Sequence, residues 1–340
     1  MSNYNILKKL LVVVLSSFCL PAQAWQPKEK TINVVIPFTP GSGNEMSFRA
    51  VAAVVEQEKG VIFNIHHRPG ADGNIGMNHF AEQPANGQWI AVPSCQSTFV
   101  AAELHWSETI KYKPMEFTLV TNIGKSPLAI IAHVSSDIRT PQDLITAVRA
   151  NKRNISIGVG SSAHKLAYEY LKASIKTQTN LTAAIDYRGP TPVAQAVAGG
   201  HVELGILPIA VAQTLLPTGK IRIIGIAGEK KFSAMPTVPL MKDHVPDFNV
   251  YACWNIVLPK NTDPAIQQWF VDAFTLALQN EKVRQFFDTN LMFSNDTKDL
   301  GPASLHREMT ALRKQWNGFT AAMPAPMAAA ARSAPGWPGK

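Results

Sequence analysis

Residues 31–48, TINVVIPFTPGSGNEMSF, contain an apolar run that ends in a glycine- and serine-rich turn and continues into a helical pattern. The same order recurs in residues 63–80, FNIHHRPGADGNIGMNHF, and in residues 154–171, NISIGVGSSAHKLAYEYL. Each stretch predicts a strand, a loop of bare backbone amides, and a helix whose first turn carries unpaired N–H groups. Such a helix start favours anions, because its orphan donors and the helix dipole both attract negative charge. Three such corners predict a protein that captures a small anionic solute.

The N-terminus predicts an export signal. Lys8 and Lys9 form a charged start, residues 10–20 are largely apolar, and Ala22-Gln23-Ala24 is a small-residue cleavage site. We therefore expect residues 1–24 to be a cleaved signal peptide and the mature protein to be exported to the periplasm. An uncleaved anchor is the alternative.

Composition indicates a globular protein with more than one domain. The chain has 340 residues, of which 46% are hydrophobic and 16% are charged, and this length favours two domains. The formal net charge is +8, with the basic residues dispersed along the chain, which is typical of a solvated surface and argues against nucleic-acid binding. Cys19 leaves with the signal, and Cys95 and Cys253 remain. They form either a disulfide or separate thiols, with Cys253 in an apolar run.

The order of strands and helices predicts two α/β lobes, each a mostly parallel sheet flanked by helices. The first lobe is expected to comprise residues 25–124 and 235–320, and the second residues 125–234. Two long helical patterns, residues 264–288 and 303–319, have apolar faces that need the first sheet. Two chain crossings between lobes would form a cleft with a hinge. The alanine- and proline-rich residues 321–340 are expected to be a disordered tail.

Each glycine-rich corner also has a plainer interpretation as a strand-to-helix turn. The third one, Gly158-Val159-Gly160-Ser161-Ser162-Ala163, fits a loose dinucleotide fingerprint, with Asp186 further on, but this motif alone is weak. Ser161 and Ser162 suit a helix cap and ligand hydroxyls, whereas His164 is as consistent with the surface as with an anion contact. Tyr187 is a better ligand candidate than Arg188, whose side chain fits a solvated turn.

Motifs for catalysis are absent from the sequence. It contains neither a Gly-x-Ser-x-Gly elbow nor His-Glu-x-x-His, and the adjacent His66 and His67 cannot both face one metal from a strand. We therefore expect no catalytic residues, no metal site and no cofactor.

Several motifs together resemble the substrate-binding proteins of tripartite tricarboxylate transporters, the Bug-type receptors. The resemblance covers residues 26–319 and depends on IPFTPGSGNE, NIHHRPGADGNIG, IGVGSSAHKLAYEYLK, DYRGPTPVAQAVAGGHVELGI, GKIRIIGIAGEKKFSAMPTVP and the strand that contains Trp254. It implies a two-lobed periplasmic-binding-protein fold, of the Venus-flytrap kind. It also implies a carboxylate ligand, held partly through ordered waters, and membrane permease subunits that accept the solute.

Carried onto this sequence, the resemblance implies ligand-binding residues in both lobes. The first loop contributes Thr39, Gly41, Ser42 and Glu45, the second contributes Gly73 and Asn74 with Ser97 after a following strand, and the second lobe contributes Ser161, Ser162, His164, Tyr187 and Gly189.

The chain departs from the family pattern at three places. Ser42 replaces a usual glycine, Glu45 replaces a usual aspartate, and Leu207-Pro208 stands where a polar residue is frequent. The longer acid at position 45 is expected to reach into the cleft, where it would repel a second carboxylate or pair with a ligand amine.

The sequence therefore predicts a monomeric, non-catalytic periplasmic receptor for a small carboxylate, either an organic acid or an acidic amino acid. A periplasmic component that reports occupancy to a membrane sensor is the first alternative. An exported dinucleotide-binding enzyme is the second, and it predicts turnover or cofactor binding by the purified protein.

Overall fold

The computed structural model describes residues 25–102, 110–175, 184–228, 231–232, 234–246 and 248–322, with side chains up to residue 317. The predicted signal peptide and residues 323–340 of the predicted tail lie outside these ranges. Within them, no helix combines the length and the apolar composition that a membrane crossing needs.

The N-terminal part of the chain builds a sheet around its first strand. Its elements are β1 (Thr31–Ile36), α1 (Gly43–Lys59), β2 (Ile62–His67), α2 (Asn74–Ala81), β3 (Trp89–Ala91), a π-helix (Cys95–Ala101) and β4 (Thr118–His133). Strands β2 and β3 pair with β1 in parallel, one on each side. The predicted apolar face of α1 is buried at Phe48, Val51, Ala52 and Val55, as its helical spacing requires.

The middle of the chain repeats the alternation of helices and strands. Its elements are α3 (Pro141–Ala150), β5 (Ile157–Val159), α4 (Ser162–Ile175), β6 (Ile185–Asp186), α5 (Pro190–Ala198), β7 (Leu204–Pro208), α6 (Ile209–Gln213) and β8 (Ile221–Ile226). Strand β5 pairs in parallel with β6 and β7. Helix α3 begins at the cap that its sequence predicts, because Thr140 Oγ1 accepts from Asp143 N at 3.1 Å and Asp143 Oδ2 accepts from Thr140 N at 2.9 Å.

Two antiparallel strands connect these parts. Strand β4 pairs with β9 (Tyr251–Leu258) from Thr118 to Pro127, and with β7 and β8 from Leu128 to His133. The strand order is β2-β1-β3-β9-β4-β7-β5-β6, with β8 also on β4. The expectation of mostly parallel pairing holds for the outer strands but is wrong for every pair that β4 or β9 makes. Parallel neighbours arise from helical crossovers, whereas these two strands carry the chain between its parts.

The C-terminal helices differ from their predicted bounds. The single pattern over residues 264–288 forms α7 (Pro264–Gln279) and α8 (Glu281–Thr289), because Asn280 adopts an extended ψ of 133° and its side chain caps Lys282 N. Phe274 of α7 packs on Phe48 and Phe63, with ring centroids 6.3 and 6.1 Å apart. Helix α9 (Pro302–Ala322) extends two residues into the predicted tail.

A disulfide joins Cys95 of the π-helix to Cys253 of β9. The sequence left this pairing open. Both residues are fully buried, and the bond links segments 158 residues apart.

Candidate functional site

The three glycine-rich corners meet between the N-terminal and middle parts of the chain. The corner before α2 and the corner before α4 enclose a cavity of about 200 Å³, here called the outer cavity. Its lining includes Asp72, Gly73, Ser161, Ser162, Lys165 and Tyr187. The structure therefore brings together residues that are up to 115 positions apart in the sequence.

The N-terminus of α4 already holds a carboxylate, and it belongs to the protein itself. Ser162 N donates to Asp72 Oδ2 at 3.0 Å, and Ser162 Oγ donates to the same oxygen. The other oxygen, Oδ1, is inaccessible to solvent and has no donor of the described residues at hydrogen-bond distance, although the nearby Ser97 hydroxyl helps to stabilise the carboxylate. This corner therefore has the geometry that binds a carboxylate, as predicted for Ser162, with Asp72 as its anion.

Burial makes the Asp72 carboxylate a weaker acid than usual. It raises the pKa of Asp72 to about 6, because the hydrogen bonds from Ser162 and Ser97 and the charge of Lys165 offset only part of the desolvation. Asp72 was not among the residues predicted to bind the ligand. The available signal was an acid inside a glycine-rich turn, where Asp72 adopts the left-handed φ of 54°.

Glu45 lies differently from the prediction. Its Oε2 accepts from Gly41 N at 2.7 Å, and its Oε1 accepts from Arg49 Nε at 2.7 Å and lies 3.5 Å from His67 Nε2. The side chain therefore folds back on its own turn and does not reach into the cleft. Burial raises the pKa of Glu45, but the Gly41 amide and the nearby Arg49 and His67 outweigh burial and lower it.

Buried hydroxyls lie around the first corner. Ser42 Oγ, Thr39 Oγ1 and Thr191 Oγ1 are inaccessible to solvent and have no hydrogen-bond partner among the described residues. Gly189, at φ 138°, packs so closely on Thr39 that an added Cβ would lie 2.9 Å from Thr39 Oγ1. Thr39 and Gly189 therefore face each other between the N-terminal and middle parts of the chain.

A second cavity of about 20 Å³, the size of one water molecule, lies between the corners and is here called the inner cavity. Ser97, Ser161 and His164 line it, and Ser97 N donates to Ser94 Oγ at 3.3 Å. His164 is buried, so its surface interpretation is wrong. Burial lowers its pKa to about 3, and Nδ1 accepts from Gly160 N at 3.3 Å. His164 is consequently a neutral imidazole at pH 7 and supplies no positive charge for an anion.

Asn74 has its polar atoms engaged within the N-terminal part. Its Nδ2 donates to Ala71 O at 2.8 Å and its Oδ1 accepts from Tyr112 OH at 2.6 Å. Gly73, at φ 89°, is needed for packing, since an added Cβ would lie 2.6 Å from Thr98 Cγ2. The half-buried Tyr187 lines the outer cavity.

Trp254 contributes to the site, although its side chain was not predicted to lie there. Its ring lines the inner cavity together with Ser94, and a Cβ added at Gly43 would lie 2.0 Å from it. Gly43 thus allows the indole to lie directly against the start of α1. Only the tertiary structure shows this contact, because Trp254 lies more than 200 residues from Gly43.

The acid of the loose dinucleotide fingerprint, Asp186, is engaged by another side chain of the protein. The carboxylate of Asp186 pairs with Lys165 Nζ at 2.8 Å. Among the described residues, no group of three or more His, Cys, Asp or Glu side chains is placed to hold a metal ion.

Comparison with known proteins places the chain in a family. The family model for TctC, the tripartite tricarboxylate transporter family receptor, matches residues 47–300. The solved structure of the periplasmic binding protein BugD has a TM-score of 0.78 at 20% identity and covers 87% of this chain and 98% of its own. Two structures from Rhodopseudomonas palustris are similarly close in fold. Rpa4515 with adipate has a TM-score of 0.77 at 22% identity, and the match covers 86% of this chain and 96% of its own. MatC with bound malate has a TM-score of 0.76 at 21% identity, and the match covers 85% of this chain and 98% of its own.

The matches agree with the resemblance seen in the sequence motifs and confirm the predicted fold class. BugD is a periplasmic binding protein, and the fold that it shares with Rpa4515 and MatC extends over more than four fifths of this chain. The family model covers more than half of the chain, including the second and third glycine-rich corners. The chain therefore belongs to the tripartite tricarboxylate transporter family of receptors, TctC, and has the periplasmic-binding-protein fold.

Proposed function

We propose that this protein is a non-catalytic periplasmic receptor that binds a small carboxylate and delivers it to the permease subunits of a tripartite transporter. One observation carries the proposal. The amide and hydroxyl of Ser162 at the start of α4 bind the carboxylate of Asp72. A helix N-terminus that holds one carboxylate has the donors and the dipole that carboxylates need.

Two further observations support a carboxylate ligand. The structures of Rpa4515 and MatC, which share the fold, were solved with adipate and with malate, both dicarboxylates. The buried hydroxyls of Thr39, Ser42 and Thr191 also lack protein partners among the described residues. Buried polar groups are normally hydrogen-bonded. None of these three residues lines either cavity, so they would become donors for a ligand only when the corners move apart to admit it.

The proposed mechanism is closure of two lobes without chemistry. Residues 25–124 and 235–320 would form one lobe and residues 125–234 the other, connected through β4 and the return to β9. The contacts of Asp72 with Ser162 and of Thr39 with Gly189 lie between these parts, so a ligand there would contact both. The predicted monomer would then present its closed form to the permease.

A thermal-shift panel of mono-, di- and tricarboxylates and amino acids tests the proposal. A ligand at 100 times its dissociation constant adds roughly 2.7 kcal/mol to the free energy of unfolding, a shift of several degrees in Tm. The ligand should be recovered unchanged, and scattering should show a smaller radius of gyration when it is bound.

Ser162→Ala tests the corner itself, and Ser174→Ala, at the other end of α4, is its matched control. Because Ser162 and Asp72 join the two parts of the chain, Ser162→Ala should weaken closure around the ligand and reduce the shift, whereas Ser174→Ala should leave it unchanged. If sugars or cations shift Tm and no carboxylate does, or if the acid is consumed, the proposal is wrong. Uptake of the labelled ligand should require both the receptor and its permease, and uptake without the receptor would contradict the delivery step.

A further inference from the structure

The carboxylate of Asp72 occupies the place that a ligand carboxylate would take at the start of α4. Both donors there, the amide and the hydroxyl of Ser162, point to Asp72 Oδ2. A second carboxylate cannot use these donors while Asp72 does. A ligand with two carboxylates would also bring like charge against a buried acid, where charges interact more strongly than in water.

The charge of Asp72 indicates what the ligand should carry instead. Asp72 lines the outer cavity, and its carboxylate is stabilised by hydrogen bonds from Ser162 and Ser97 and by Lys165, which is itself paired with Asp186. Its Oδ1 has no surface accessible to solvent, so a ligand in the cavity would interact with the charge of Asp72 and not bond to this oxygen. An ammonium group supplies the opposite charge, and charges interact more strongly beside a buried group than in water. The cavity therefore favours a ligand amine.

The outer cavity also carries positive charge for a carboxylate. Lys165 lies on its wall and pairs with Asp186 at 2.8 Å, and the exposed Arg188 lines the same cavity. Arginine suits a carboxylate because its planar guanidinium can bond both oxygens. The cavity wall thus combines an acidic side chain, Asp72, with a basic side chain, Arg188, which matches a ligand that carries both a positive and a negative charge.

We propose that Asp72 is a specificity-determining residue, which selects ligands with one carboxylate and one amino group over dicarboxylates. This inference rests on the proposed function as a carboxylate receptor. It transfers to Asp72 the role that the sequence suggested for Glu45, whose carboxylate the structure engages with Gly41 and Arg49.

Three acids with the same five-carbon chain test the proposal by isothermal titration calorimetry on ligand-free protein. They are 5-aminovalerate, valerate and glutarate, with α-amino acids of similar size as a second series. We expect the unmodified protein to bind the amino acid of the series more tightly than glutarate. In Asp72→Asn, 5-aminovalerate should lose roughly 10- to 100-fold in affinity, the range for losing the attraction between opposite charges a few ångströms apart near a protein surface. Glutarate should bind more tightly to this variant than to the unmodified protein.

Two more variants keep the test decisive. Asp72→Gly removes the carboxylate at a residue whose positive φ glycine adopts readily, so it serves if Asp72→Asn fails to fold. Asp143→Asn is the matched control, since it neutralises an acid that caps α3 and lines neither cavity, and it should leave the preference unchanged.

The outcomes separate the two proposals. If acids bind but the ratio of 5-aminovalerate to glutarate affinity is the same with and without Asp72, the role of Asp72 is wrong and the receptor function stands. A protein that prefers glutarate before any substitution also contradicts the role of Asp72. If no carboxylate of any class binds, the proposed function fails, and the inference fails with it.

Discussion

The buried carboxylate of Asp72 should make stability depend on pH in a direction opposite to that of most acids. Its pKa is raised from 3.8 in the unfolded chain to about 6 in the folded protein. Between these values the folded state binds more protons than the unfolded state, so the free energy of unfolding falls as pH rises. A difference of about two pKa units corresponds to roughly 3 kcal/mol, present as destabilisation above pH 6 and absent below pH 4.

The variant Asp72→Asn removes this titration while keeping an oxygen that can accept from Ser162. We expect the difference in unfolding free energy between the variant and the unmodified protein to grow by about 2 kcal/mol in favour of the variant from pH 4 to pH 7. Urea unfolding followed by tryptophan fluorescence, at several pH values and without ligand, measures it. Effects of the substitution on stability that do not depend on pH, such as the cost of an unpaired amide N–H in the asparagine side chain, cancel when values at different pH are compared.

Asp143→Asn is the control for this experiment. Asp143 caps α3, and although burial raises its pKa, hydrogen bonds from Arg139 and Thr140 lower it below 3.8. The stability that this carboxylate contributes is present above that value and is lost only in more acidic solution, so the control difference should be flat between pH 5 and 7. If the Asp72→Asn difference is equally flat, the Asp72 carboxylate is not buried on Ser162 in solution, and the reasoning about this corner is wrong.

Four further substitutions test other parts of the structure. His164→Asn retains an acceptor for the Gly160 amide. Because burial lowers the histidine pKa from 6.5 to about 3, the unfolding free energy of the unmodified protein should fall by about 2–3 kcal/mol relative to that of the variant between pH 6.5 and pH 4.5. If urea unfolding shows no such change with pH, His164 lies in solvent. Gly160→Ala should destabilise the protein by about 1–3 kcal/mol, because the added Cβ would lie 2.4 Å from the backbone of the corner before α5, and an unchanged Tm would mean that this corner is loose. Glu45→Gln should cost about 1–2 kcal/mol through its bond to the turn amide, measured by urea unfolding, and a neutral effect would contradict that bond. Cys95→Ser should cost up to about 5 kcal/mol under oxidising conditions, since the disulfide to Cys253 closes a loop of 158 residues, and the loss should disappear when both proteins are reduced.

Much of the candidate site was visible in the sequence because its signals are local. The cap at Thr140 depends on residues three positions apart, and the glycine-rich turn before Ser162 marks the start of a helix within a few residues. The apolar face of α1 follows from the helical period alone. Interactions over one or two helical turns are set by neighbouring residues, so patterns in the sequence predict them.

The partners of the charged groups were not visible, because they depend on distant contacts. Asp72 and Ser162 are 90 residues apart, and nothing near either residue indicates that one would bind the other. The prediction for Glu45 was wrong for a related reason: whether its side chain turns to Gly41 or to the cleft depends on how the whole corner packs.

The sequence by itself determined the alternation of strands and helices, the three amide-rich corners and the family of the chain. Only the tertiary structure decided which carboxylates bind the first and third corners, that Cys95 bonds to Cys253, and that β4 and β9 pair antiparallel between the two parts. The physical reason is the range of the interactions. Hydrophobic periodicity and capping act along a few residues, whereas burial, charge pairing and strand order depend on which distant segments the fold brings into contact.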